Sequence, residues 1–119
     1  GYPCPPFKLV VLDEADCLTA DAQTALRRIM EANVRGTRFI LLCNYASRII
    51  DPLASRCAKF RFRPVATEAA LGRLTEIARR EGVICPSGPE GLLELARVAD
   101  GDLRRAIQML QAIHQLGRP

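Results

Sequence analysis

The octet Leu9-Val10-Val11-Leu12-Asp13-Glu14-Ala15-Asp16 runs an apolar stretch straight into a pair of adjacent carboxylates. Four apolar residues drive a strand into a sheet and present Asp13 and Glu14 at its carboxyl end, where open α/β sheets place their chemistry. One carboxylate there can hold Mg²⁺ through water while its neighbour orients an attacking water, the division of labour that phosphoryl transfer requires. An acidic turn after a strand is also a common solvated feature, so the octet leaves both readings open. Asn44 ends a second apolar run as Asp13 ends the first. A side-chain amide at that rim can hydrogen-bond a phosphate oxygen or the water attacking it, although a lone Asn equally well starts a turn. Further on, Ser55-Arg56-Cys57 precedes a third strand-like run. A guanidinium held there suits an arginine finger, which neutralises charge developing on a phosphoryl group, and the plainer alternative is a surface salt bridge.

The elements that must position these residues follow from periodicity. Phe7 to Leu12 (FKLVVL) and Arg38 to Cys43 (RFILLC) read as parallel strands buried on both faces, and Lys59 to Phe62 (KFRF) as a third strand. Thr19 can cap a helix over about residues 20–33, with Ala22, Ala25, Leu26, Ile29 and Met30 on one face and Gln23, Arg27 and Glu31 on another. The i, i+4 spacing makes Arg27–Glu31 an expected surface pair. A loop and short helix carry Ser47 to Arg56. Residues 1–64 are therefore expected to form an α/β core. After Pro64 no strand pattern remains. Thr67 and the Ser87–Glu90 capping box start helices, and apolar spacing predicts three of them, over 67–81, 88–99 and 102–116. Together, residues 65–119 read as a small three-helix, lid-like unit.

Charge is concentrated where the candidate chemistry lies. The 119-residue chain has a formal net charge of +4, yet residues 22–63 alone hold nine bases against two acids. That stretch is the natural place for a phosphate-bearing partner, unless its arginines are simply scattered over solvated surface. Five cysteines with no CxxC pair and a single histidine fit neither a zinc site nor a disulfide framework. Cys43 and Cys57 read as small buried hydrophobes, which implies a reducing compartment. No apolar run approaches the roughly 18 residues of a membrane span.

The run from Lys8 to Val65 closely resembles the AAA+ ATPase core of clamp-loader small subunits, the replication factor C family. LDEAD matches the Walker B motif, LLCN the sensor 1 motif and SRC the family's signature, in order and spacing. GDLRRAIQMLQ resembles the sensor 2 helix, so the likeness covers essentially the whole chain. PCPPFK and NYASRIIDPL are most like the eukaryotic subunit 4 type. The resemblance implies the C-terminal part of an AAA+ parallel-sheet core followed by a helical lid, with ATP and Mg²⁺ as cofactors. It makes Asp13 the Mg²⁺-associated carboxylate, Glu14 the catalytic base and Asn44 the sensor 1 residue. Arg56 becomes the finger offered to ATP on a neighbouring subunit, and Arg104 the sensor 2 arginine for nucleotide on its own chain. The helix after Walker B faces DNA in this family, which assigns Gln23, Arg27 and Arg28 to a DNA-binding stripe. The implied partners are other loader subunits in a hetero-pentamer, a sliding clamp and primer-template DNA, and the implied location is the nucleus.

One departure from the family pattern bears on activity. No GxxxxGK[ST] phosphate loop occurs in the sequence, and neither Lys8 nor Lys59 is followed by Ser or Thr. The chain is accordingly expected to represent the later part of the core plus lid, without the upstream phosphate loop or the following collar, and not to hydrolyse ATP by itself. A non-catalytic interaction module, binding loader subunits or DNA without nucleotide, is the rival reading. A DEAD-type helicase is a third, and it rests on the tetrapeptide Asp13-Glu14-Ala15-Asp16 alone.

Overall fold

In the computed structural model, which describes residues 3–117, the first two apolar runs pair as parallel strands. Strand β1 (Lys8–Leu12) lies beside β2 (Thr37–Leu41), in register from Lys8 opposite Thr37 to Leu12 opposite Leu41. A parallel pair needs a crossover, and helix α1 (Ala20–Ala32) supplies it. Thr19 starts α1 as expected, its Oγ1 accepting the Ala22 N–H at 3.2 Å. Asn33 ends the helix by donating from its side-chain amide to the Ile29 carbonyl at 2.8 Å. Beyond β2 come a single 3-10 turn, Ala46–Arg48, and a one-turn helix α2 (Asp51–Ala54) with Pro52 in its first turn, where its missing N–H costs nothing.

The chain divides into two compact units, one ending at Phe60 and the other starting at Arg61. Helices α3 (Thr67–Glu81), α4 (Gly88–Ala99) and α5 (Leu103–Leu116) build the second, within a residue or so of the periodicity's expectation. Ala70, Leu74 and Ala78 from α3 close against Leu92, Leu95, Ala96 and Ala99 from α4 and Ala106 and Leu110 from α5. Gly82 terminates α3 in the left-handed conformation, and Asp102 caps α5 by accepting the Arg105 N–H at 3.0 Å. At Gly101 (φ +83°) the backbone comes so near the preceding linker that an added Cβ would stand 2.4 Å from Cβ of Pro64. The Val65 N–H donates to the Gly101 carbonyl at 3.1 Å across the same approach.

Several expectations are corrected. Lys59 to Phe62 forms no strand among the described residues, because a strand exists only through ladder partners and this segment has none; Phe60 and Phe62 are 81% and 90% exposed. The parallel strands are not buried on both faces, since a sheet of two strands leaves Leu9, Val11, Ile40 and Leu42 open. On α1 the apolar stripe is incompletely covered, with Ala25 and Ile29 exposed, while the polar Gln23 is the buried residue of the helix. Cys43 is exposed and Cys57 half-buried, and all five cysteines are free thiols. Ser87 precedes α4, but its hydroxyl makes no capping bond, so the capping box is not formed. No described helix is long and apolar enough to cross a membrane.

Candidate functional site

The site grows from the carboxyl ends of β1 and β2. The backbone pairing carries on past the strands, with the Leu42 N–H donating to the Leu12 carbonyl and the Ala15 N–H to the Leu42 carbonyl, each at 2.9 Å. This brings the turn after β1, with Asp13 and Glu14, to the same end of the sheet as Asn44. Asp13 folds back so that its Oδ1 accepts the Glu14 N–H at 2.8 Å. Glu14 sits at φ 53°, ψ 41°, a left-handed conformation that costs a non-glycine residue about 1–2 kcal/mol. Strain of that kind persists only where the surroundings over-determine it, and it collects at functional sites. Both carboxylates are exposed.

Sequence reasoning missed Asp16. It is only 8% exposed, and its Oδ2 accepts the backbone N–H groups of Asn44 at 3.3 Å and Tyr45 at 3.0 Å. The signal was present as the last acid of the DEAD run, but nothing in the pattern separates a carboxylate that turns inward from one that turns outward. The stacking of the Arg48 guanidinium over the Tyr45 ring, 4.6 Å from its centroid, was likewise unforeseen.

The stripe Gln23, Arg27 and Arg28 does not hold together as an exposed face, which corrects the assignment of Gln23 to DNA. Gln23 is 2% exposed and uses both ends of its amide. Nε2 donates to the Leu18 carbonyl at 3.1 Å and the Arg48 carbonyl at 3.0 Å, and Oε1 accepts the Ile50 N–H at 2.8 Å. It therefore pins the loop after β2 to α1. One turn along, Arg27 is half-buried, and its Nε is enclosed without a hydrogen-bond partner among the described residues. Arg28 is exposed. Glu31 pairs not with Arg27 but with Arg56, whose Nε lies 2.7 Å from Oε1. The Nη1 of Arg56 also donates to the Pro52 carbonyl at 2.6 Å, so this guanidinium is braced at the end of α2 by its own chain. The side chains of Arg56 and Glu31 remain more than two-fifths exposed, the regime in which an ion pair is weak.

In the second unit Arg104 is exposed in the first turn of α5, next to Arg105, and neither has an ion-pair partner among the described residues. A groove of about 400 Å³ between α3 and α5 has Ile77, Val83 and Leu110 on its walls and Glu81 and His114 at its edge, and none of the sequence-predicted site residues lines it.

No protein-family model matches the chain. Among individual proteins the similarity is high and runs almost end to end. The chain is 53% identical over 116 residues to replication factor C subunit 4 of Homo sapiens, covering 98% of this chain and 31% of that protein. It is 54% identical over 113 residues to replication factor C subunit 2 of Saccharomyces cerevisiae (94% of this chain, 31% of that protein). It is 54% identical over 112 residues to the replication factor C small subunit of Archaeoglobus fulgidus (94% and 34%). The chain belongs to the replication factor C small-subunit family. It spans about a third of the length of these relatives.

Replication factor C proteins named subunit 2 and subunit 4 match it to the same degree, at 53–54% identity. The similarity to replication factor C proteins spans 94–98% of the chain, whereas the helicase reading rests on its tetrapeptide alone. The donor set suits the family's nucleotide and Mg²⁺ in one respect. The other oxygen of Asp13 has no partner among the described residues, and with Glu14 beside it the turn offers two carboxylates to a hydrated cation. A direct cage is not on offer, since no group of three or more His, Cys, Asp or Glu side chains gathers among the described residues.

Proposed function

We propose that the chain is part of an AAA+ ATPase subunit of a DNA sliding-clamp loader, acting in the nucleus within a hetero-pentamer that opens the clamp and places it on primer-template DNA. The observation that carries this reading is identity above 50% with replication factor C subunits over nearly the whole length of the chain. In this reading residues 1–64 belong to the AAA+ core and 65–119 to its lid, and the open apolar positions of β1 and β2 are covered in the assembled subunit.

ATP and Mg²⁺ supply the phosphoanhydride bond and the positive charge that polarises it. Asp13 would hold the hydrated cation, and the Glu14 carboxylate would accept a proton from the attacking water. The Asn44 side-chain amide, free of hydrogen bonds among the described residues, orients that water or a phosphate oxygen. Arg104 reaches nucleotide on its own chain. Arg56 leaves Glu31 to neutralise charge at the neighbouring subunit's site, an exchange made easy by the exposure of the pair. Arg28, with Arg27 behind it, contacts DNA phosphates.

The test is Glu14→Gln in the complete subunit, assembled with its partners. ATP binding is retained while turnover falls by about 10² to 10⁴, the contribution of a positioned general base. Hydrolysis at the unmodified rate would refute the assignment. Arg56→Ala is expected to leave its own subunit's ATP affinity intact and to slow hydrolysis next door by about 10³ to 10⁵.

A further inference from the structure

Asp16 is the carboxylate of the DEAD run that turns inward, and the function above gives it no task. The ladder between β1 and β2 ends with the bonds of Leu42 to Leu12 and of Ala15 to Leu42. Beyond that point Oδ2 of Asp16 ties the loop bearing Asn44 to the turn bearing Glu14, accepting the N–H groups of Asn44 and Tyr45 at 3.3 and 3.0 Å. A charged acceptor makes such bonds roughly twice as strong as a neutral one. It grips the backbone of Asn44 and leaves the side-chain amide free. On the other side, Asp16 lies in the 3-10 turn Ala15–Cys17 that directly follows the left-handed Glu14, so the residue that grips the Asn44 loop stands two positions after the strained one.

We propose that Asp16 is a positioning residue for ATP hydrolysis, setting the spacing between the Glu14 carboxylate and the Asn44 amide by clamping their two loops together. The inference rests on the ATPase reading above. Asp16 touches no reacting atom. Its effect comes from geometry, since a misplacement of about 1 Å between catalytic groups can cost about 10²-fold in rate.

The experiment is steady-state ATP hydrolysis by the complete loader complex carrying Asp16→Ala, Asp16→Asn or Glu14→Gln, with nucleotide affinity measured on the same preparations. Asp16→Ala is expected to lower kcat by about 10- to 100-fold while KM and nucleotide affinity stay within about two-fold. Asp16→Asn keeps an oxygen able to accept both amides, and is expected to recover kcat to within about five-fold of the unmodified complex. Should Asp16→Ala fail to assemble, Asp16→Ser, whose shorter acceptor cannot serve both amides, replaces it under the same expectation. An alanine variant at full kcat, an asparagine variant as slow as the alanine one, or a loss of affinity in step with kcat would each overturn the proposal. If Glu14→Gln lowers turnover and Asp16→Ala leaves kcat unchanged, this inference alone falls. If Glu14→Gln turns over normally, the ATPase reading falls and this inference with it.

Discussion

Among the described residues, nine apolar side chains on three helices close over one another from Arg61 onward, whereas up to Phe60 the buried set is Ala15, Asp16, Gln23 and Leu53, half of it polar. The two kinds of interior do different work. Apolar packing is non-directional and tolerates exchange of similar volumes, so it suits a unit that has only to keep its shape. A buried carboxylate or amide is satisfied only when its partners stand at set distances and angles, so it fixes loops relative to one another. Asp16 and Gln23 each join segments far apart in sequence, the first at Asn44 and Tyr45, the second at Arg48 and Ile50. Every candidate site residue except Arg104 lies where the interior is directional.

The largest loss of stability is expected in the second unit. Leu74 is fully buried, and Leu74→Ala should cost about 2–5 kcal/mol, because it removes transfer free energy and leaves a cavity. Hydrogen exchange of the α3–α5 amides would read this loss, with the amides of β1 and β2 little affected; equal acceleration in both would mean that the units unfold as one. Gln23→Leu keeps bulk while stranding two carbonyls and one N–H, and should cost about 1–3 kcal/mol, seen as faster exchange at Ile50. Gln23→Glu sharpens the point. It places an oxygen against the carbonyls of Leu18 and Arg48, so near-isosteric replacement should rescue nothing. A harmless Gln23→Leu would show that the first unit is held by packing after all.

Gly101→Ala asks whether the helical unit has a directional element of its own. With φ at +83° and an added Cβ meeting Pro64, the linker must shift, and thermal unfolding should register a loss of about 1–3 kcal/mol. The smallest effect belongs to Glu31→Gln. Its pair with Arg56 is substantially exposed, so stability should change by no more than about 1 kcal/mol, and less as salt is raised. A larger, salt-insensitive loss would make that pair a structural brace and weigh against Arg56 leaving it.

Much of the architecture was legible because it is local. Helix periodicity, the Thr19 cap and the Asp13–Glu14 turn depend on neighbours a few residues away, and the observed bounds Thr67–Glu81 and Gly88–Ala99 coincide with those read from spacing. Asn44 ending one apolar run as Asp13 ends another foretold a shared rim, and the parallel register brings both to the same end of the sheet. KFRF misled for a physical reason. Alternating Phe60 and Phe62 have strand-like spacing, but strand formation requires a partner edge, and spacing carries no information about one.

The order of elements, the charge-rich stretch after residue 22, the two candidate carboxylates and the family resemblance are all legible from residue type and spacing. Which polar residues turn inward depends instead on the folded arrangement. Gln23 and Arg28 look alike as members of a polar helix stripe, yet one is buried with three hydrogen bonds and the other stays in solvent. Glu31 has Arg27 at ideal helical spacing and takes Arg56 instead. Burial of a polar group is stable only when partners from elsewhere in the chain satisfy it, and where those partners arrive is a fact of folding in three dimensions, not of the local pattern.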